Sequence, residues 1–161
     1  MSGQLEGFKP ETKKRKQERE FKVYINEDEM ERIRQWVALK PDIETGGDLF
    51  GLWIDQHTAV VQFVLGPGKN CHRTTTSFFQ DVSYLQDVGS YLTEKHGLCN
   101  IGQWHSHHTI PLFEPSAGDN NTVWSNMPTL GIERYIVFIA NIKSHEVTKK
   151  PSDVPVNCSI F

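Results

Sequence analysis

Three histidines crowd into the five residues "WHSHH", Trp104–His108, with a serine between the first two. Residues two apart on a β-strand project to the same face, so His105 and His107 point together while Ser106 and His108 turn away. Two imidazoles placed that way can grip one divalent ion. The pair needs context, because 7 histidines in 161 residues yield a chance His-x-His about 0.3 times per chain. Asp119 supplies that context as the natural third ligand: "PSAGD" (Pro115–Asp119) is a turn-forming stretch that can present the aspartate from the start of a helix. Three N or O ligands with a fourth position left for water is the usual composition of a catalytic zinc site.

Metal-assisted hydrolysis also requires a carboxylate that takes a proton from water and hands it to the leaving group. Glu44 suits this role. It opens "ETGGDLFG" (Glu44–Gly51), at the start of an expected strand, where Gly46 and Gly47 allow other backbone to come close. Ser116, three residues before Asp119, can cap the following helix, orient the aspartate, or donate to a developing oxyanion. Trp104 and Trp124 flank the segment and read as packing residues.

These residues must be held by a scaffold, and the apolar periodicity outlines one. "FKVYI" (Phe21–Ile25) alternates like a strand. A helix capped by Asn26 follows, with Met30, Ile33, Trp36 and Val37 on one stripe and Pro41 as its stop. Glu44–Asp55 and Thr58–Gly66 read as two strands joined by a short turn. Pro67–Phe78 reads as a polar loop. Phe79–Gly97 reads as a helix with Val82, Leu85, Val88 and Leu92 on one face and Gly97 as its stop. Cys99–His107 is the next strand, a short helix begins near Asp119, Arg134–Ile142 is an apolar strand, and "VPVNCSIF" (Val154–Phe161) an edge strand. The order predicts an α/β protein of the α+β type: a curved mixed sheet flanked by helices, in one domain over 21–161.

Residues 1–20 are polar and charged, and read as a flexible arm. Its "KKRK" (Lys13–Lys16) is a possible nuclear-localisation patch within an otherwise cytoplasmic chain. This stretch lacks the apolar core of a secretory signal, and no apolar run approaches the ~20 residues of a membrane span. The formal charge of −3 argues against nucleic acid as a partner. Three scattered cysteines (Cys71, Cys99, Cys158) argue for a reducing compartment.

Taken together, "ETGG" at Glu44–Gly47, "HSH" at His105–His107 and "SAGD" at Ser116–Asp119 resemble the JAMM, or MPN-plus, zinc metalloproteases. That family's pattern is an upstream Glu, then His-Ser/Thr-His-Pro, a spacer, and Ser-x-x-Asp. The resemblance covers about residues 21–142. His108 stands where most members carry proline, and the spacer from His107 to Asp119 is about one residue longer than is common. In its "WHSHH…EPS-x-GD" form the chain is similar to JAMM proteins of bacterial gene clusters that also encode ubiquitin-like, E1-like and E2-like proteins.

The resemblance implies a cytidine-deaminase-like JAMM/MPN core holding one zinc ion on His105, His107 and Asp119, with Glu44 as general base and Ser116 assisting the oxyanion. It also implies hydrolysis of the peptide or isopeptide bond after the C-terminal tail of ubiquitin or a ubiquitin-like modifier, with E1-like and E2-like proteins as associated partners. Inserted segments that grip two ubiquitins have little room here, so the expected engagement is of the extended tail alone, near Pro67–Phe78, where "TTTS" (Thr74–Ser77) offers backbone and hydroxyl partners. Rival readings need other features. A catalytically inactive MPN-type scaffold has typically lost metal ligands, and all are present here. A RadC-like JAMM protein acting in DNA processing would sit better on a basic chain. A zinc deaminase would show His-x-Glu with Pro-Cys-x-x-Cys, which is absent.

Overall fold

The computed structural model describes residues 20–108, 112–142 and 150–161. The expected arm over 1–20, with Lys13–Lys16, therefore lies outside the described residues except for Glu20. Six strands form one curled mixed sheet in the order β1 (Lys22–Ile25), β3 (Thr58–Val64), β2 (Gly46–Trp53), β6 (Cys99–His107), β7 (Ile136–Asn141), β8 (Val156–Ile160). The β1/β3 and β6/β7 pairs are parallel and the others antiparallel. The expected α+β class and order of elements hold.

Helix α1 (Glu27–Leu39) starts where expected, with the Asn26 side chain accepting from the Asp28 N–H. Its stripe covers one sheet face. Ile33 and Val37 are fully buried against Leu49, Val61 and Phe138, and each such side chain contributes roughly 1.5–3 kcal/mol. Trp36 stacks on Trp104 at 5.6 Å, so both tryptophans are core. Helices α2 (Val82–His96) and α3 (Ala117–Leu130) cover the opposite face in two separate places. From α2, Leu85, Val88 and Leu92 pack with Phe50 and Leu65. From α3, Val123 and Met127 pack with Val137 and Ile139. Between the two helices Asp48, Gln103, His105 and His107 line a cavity of about 670 Å³.

Several boundaries move for identifiable reasons. Asp81 caps α2 by accepting from the Tyr84 N–H, so the helix begins at Val82 rather than Phe79, and Val82 itself is exposed. The residues before it pair instead: β4 (His72–Arg73) and β5 (Phe78–Phe79) form a small hairpin within the stretch read as a loop. Helix α3 begins at Ala117, not at Asp119, because Ser116 caps it. Gly97 closes α2 in the left-handed conformation, as expected. Among the described residues no helix is long and apolar enough to cross a membrane.

Candidate metal centre

His105 and His107 lie near the end of β6 and project into the cavity; Asp119 enters from the first turn of α3. Their ligand atoms converge. His105 Nε2 and His107 Nε2 are 3.2 Å apart, and Asp119 Oδ2 lies 3.3 Å from the first and 3.6 Å from the second. Donors about 2.0–2.1 Å from a tetrahedral ion sit about 3.3 Å from one another, whereas right-angled octahedral bonds would bring them to about 2.9 Å. The trio therefore has the dimensions of one face of a tetrahedral site. The cluster can hold a metal ion.

The hydrogen bonds around the trio agree with this use. His107 Nδ1 donates to the Leu112 carbonyl at 3.0 Å, which leaves Nε2 with its lone pair toward the centre. Asp119 Oδ2 accepts from the Ser116 N–H (2.7 Å) and the Ser116 hydroxyl (2.6 Å), while Ser116 Oγ accepts from the Asp119 N–H. This reciprocal capping box fixes the aspartate by the same bonds that start the helix. The electrostatics point the same way. Burial works against the Asp119 carboxylate, yet the two imidazoles and Ser116 outweigh it and hold the group well below the usual carboxylate range. Burial also opposes a charge on His107, but Asp119 and the Leu112 carbonyl raise its affinity for a proton. The trio favours positive charge at its centre.

Glu44 opens into the same cavity. It stands two residues before β2 rather than in the strand, and its N–H donates to the Thr74 carbonyl in the turn that joins β4 to β5. Burial pushes its carboxyl up to about 7, with His107 opposing and Asp119 adding to the rise. Such a carboxyl is tuned for proton transfer near neutral pH. The glycine pair has two separate reasons. A Cβ on Gly46 would lie 2.6 Å from the Phe78 ring; one on Gly47 would lie 1.9 Å from the Leu65 carbonyl oxygen.

Two residues gain roles that the sequence did not reveal. Ser106 faces away from the metal ligands, as alternation requires, and clamps the chain beside Glu44. Its Oγ accepts from the Thr45 N–H at 2.9 Å, and its own N–H donates to the Thr45 carbonyl. Behind it, His108 is buried, bonded through Nδ1 to the Pro41 carbonyl and through Nε2 to Ser106 Oγ at 2.6 Å. With Nδ1 donating to the carbonyl, Nε2 accepts the serine hydroxyl. His108 thus points away from the metal ligands and braces the Glu44 segment. Trp124, expected to pack, is 59% exposed, with its ring edge-on to Phe161.

Asp48 is the second missed feature. It lies two residues along β2 from Gly46, on the same face as His105, and lines the cavity although only 8% exposed. Its Oδ1 accepts from the Asn100 amide at 2.9 Å. Burial pushes its carboxyl up to about 6, and the Asn100 bond only partly offsets this. An acid whose folded pKa lies above its unfolded one opposes folding once it ionises: nothing is lost below pH 4, the loss grows between pH 4 and 6, and it is complete above 6. Asp48→Asn, which keeps an oxygen for Asn100, is therefore expected to raise Tm by several degrees at pH 7.5, from at most ~3 kcal/mol, and to leave it unchanged near pH 4. Thermal melts at the two pH values check this; equal shifts at both would contradict it.

No protein-family model matches the sequence. The sequence is similar to a protein of Sinorhizobium fredii described as probable metalloprotease y4qB, with 30% identity over 99 residues. The match takes in 60% of this chain and 60% of that relative's length. The fold is similar to the solution structure of protein DSY2949 from Desulfitobacterium hafniense, with a TM-score of 0.60 and 19% identity, covering 86% of this chain and 82% of that one. At that identity the second likeness speaks for the fold alone. The chain is thus a distant relative of a probable metalloprotease, and its cavity carries a His-His-Asp cluster able to hold a metal ion.

Proposed function

We propose that the protein is a zinc-dependent peptidase of the JAMM type that hydrolyses the peptide or isopeptide bond after the C-terminal tail of ubiquitin or a ubiquitin-like modifier. The observation that carries this reading is the convergence of His105, His107 and Asp119 at tetrahedral spacing in one cavity with the half-buried Glu44. The N₂O donor set suits zinc. A divalent ion bound there supplies Lewis acidity, lowering the pKa of water toward ~7 and polarising the scissile carbonyl. Glu44 takes the proton from the attacking water. As the C–N bond breaks, Glu44 returns that proton to the departing amine, which leaves neutral. The Ser106 and His108 brace holds Glu44 in register through Thr45. The free cysteines among the described residues fit action in a reducing cytoplasm.

Strand β5 supports engagement of an extended tail. It borders the cavity through Phe78 and Phe79 and, among the described residues, has a strand partner, β4, on one side only. A peptide laid along its other edge would run past Glu44 toward the metal ligands. The Thr74–Ser77 stretch is less available than its composition suggests. Thr74 N–H and C=O are bonded to Ser77 and Glu44, and the two hydroxyls lie 2.7 Å apart in a mutual bond. The docking edge is therefore Phe78–Phe79. Recognition of the tail alone predicts tolerance of what lies beyond the scissile bond. Incubating zinc-loaded protein with a linear modifier–peptide fusion and a panel of differently linked di-ubiquitins tests this, with a chelated control. Strong preference for one linkage, with the fusion left uncut, would defeat the tail-only reading; no chelator-sensitive cleavage of any of them would defeat the modifier reading.

Ser116 acts twice in this scheme: as helix cap, and as oxyanion donor once its hydroxyl turns from Asp119 Oδ2 to the reacting carbonyl. Ser116→Ala is expected to lower Tm by about 2–4 °C, from ~1 kcal/mol of lost capping. It is also expected to lower kcat by up to ~10²-fold with little change in KM. Ser116→Thr should restore the cap. Loss of Tm with unchanged kcat in the alanine variant would reduce the serine to a cap.

A further inference from the structure

The buried Asp48 carboxylate has no evident use in holding the fold. Among the described residues no lysine, arginine or histidine pairs with it, and its one hydrogen bond comes from the neutral Asn100 amide. A neutral asparagine would serve that bond equally well, so the charge itself is not needed there. A buried carboxylate without a cation is costly, and such a group persists where a partner arrives from outside.

Its surroundings are built to receive one. The β6 strand carries an irregularity opposite Leu49 and Phe50, which brings Asn100 beside Asp48. Gln103 stands directly across the strand pair on the same face, with its side chain also at the cavity wall. Burial opposes ionisation of the partly buried Tyr135 phenol, and the charge of Asp48 adds to this. Leu85 and Phe79 add apolar surface to the lining of the same cavity. A long cationic side chain suits this mixed lining: its methylenes would lie along Leu85 and Phe79 while its head meets the carboxylate.

We propose that Asp48 is a specificity-determining residue that binds the cationic head of an arginine or lysine side chain in the polypeptide substrate. This rests on the peptidase reading above, to which it adds a substrate preference. The register limits where the basic residue can stand. Asp48 is two residues along the strand from Gly46, which pairs with His105, a displacement of about 6.5–7 Å. An extended substrate advances ~3.3 Å per residue, so the basic residue lies within about two positions of the cleaved bond.

The test has a binding arm and a cleavage arm, both on full-length zinc-loaded protein. In the first, acetyl-Gly-Arg-amide and its neutral citrulline analogue are titrated into wild type and Asp48→Asn and followed by NMR. The arginine compound is expected to bind at least ten-fold more tightly, with shifts centred on Asp48, Asn100 and Gln103. That preference is expected to vanish in the variant. In the second, a synthetic peptide mixture sampling all residues at three positions on each side of every bond is digested and read by mass spectrometry. Wild type is expected to favour Arg or Lys at one position by at least ten-fold in kcat/KM. Asp48→Asn should lose the preference, read as the ratio of basic to neutral peptides cut by the same protein. Cleavage without basic preference, or preference that survives Asp48→Asn, would overturn the Asp48 assignment and leave the peptidase reading standing. Arginine-selective binding with no cleavage of any peptide would uphold Asp48 as a cation site and remove the peptidase reading. Equal binding of both compounds with no cleavage would overturn both.

Discussion

Glu44→Gln is expected to bind zinc as wild type does and to lose roughly 10²–10⁴-fold in turnover, the usual worth of a positioned general base. Glutamine keeps the size and the backbone bond to Thr74, so the fold and the metal ligands are undisturbed, and only the proton acceptor is removed. The pH profile supplies a second reading of the same residue. Burial raises the Glu44 carboxyl to about 7. A base must be ionised to act, so activity falls as pH drops through its pKa. A divalent cation nearby favours the carboxylate and moves that limb below 7. Wild type should therefore show an acidic limb in kcat/KM below pH 7. Elemental analysis beside steady-state kinetics across pH 5–8 decides the matter. Turnover at the wild-type rate in Glu44→Gln would remove Glu44 from the mechanism.

Asp119→Ala is expected to lose both metal and activity. The substitution removes one of three converging donors and also the carboxylate that accepts from the Ser116 N–H and hydroxyl. Loss of an outer-shell partner already weakens metal sites by roughly 10–100-fold, and loss of a ligand should exceed that. Metal binding also stabilises the folded state by mass action, about 2.7 kcal/mol at a free concentration of a hundred times Kd. Wild type should consequently melt several degrees higher with zinc than with chelator, and the variant should show no such difference. Comparing the two proteins in chelator separates the lost cap, which persists without metal, from the lost ligand, which does not. A variant that retains one equivalent of zinc and the full metal-dependent rise in Tm would show that Asp119 is not a ligand.

What was legible in the sequence was local. Alternation along Cys99–His107 placed His105 and His107 on one face and Ser106 and His108 on the other, because a strand's side-chain period depends on the backbone alone. The cap residues Asn26 and Ser116, the left-handed Gly97 and the apolar stripe of α1 were readable for the same reason: each answers to a few neighbouring residues. The candidate ligands and base followed from residue chemistry and order along the chain.

The tertiary structure decided everything that depends on register between distant segments. Gly46 opposite His105 and Asp48 opposite Gln103 are facts of the β2–β6 pairing, across more than fifty residues of chain. Only that pairing shows that an aspartate in an otherwise apolar strand faces the cavity. The Ser106 bond to Thr45 and the His108 bonds to Ser106 and Pro41 likewise join segments that no local pattern connects. The β4–β5 hairpin is two residues wide on each side, too short for a periodic signal. The cavity itself exists because α2 and α3 cover separate parts of one sheet face and leave a polar strip between them. Helical periodicity tells which side of a helix is buried, but where along a sheet that side lands is set by the packing of the whole chain.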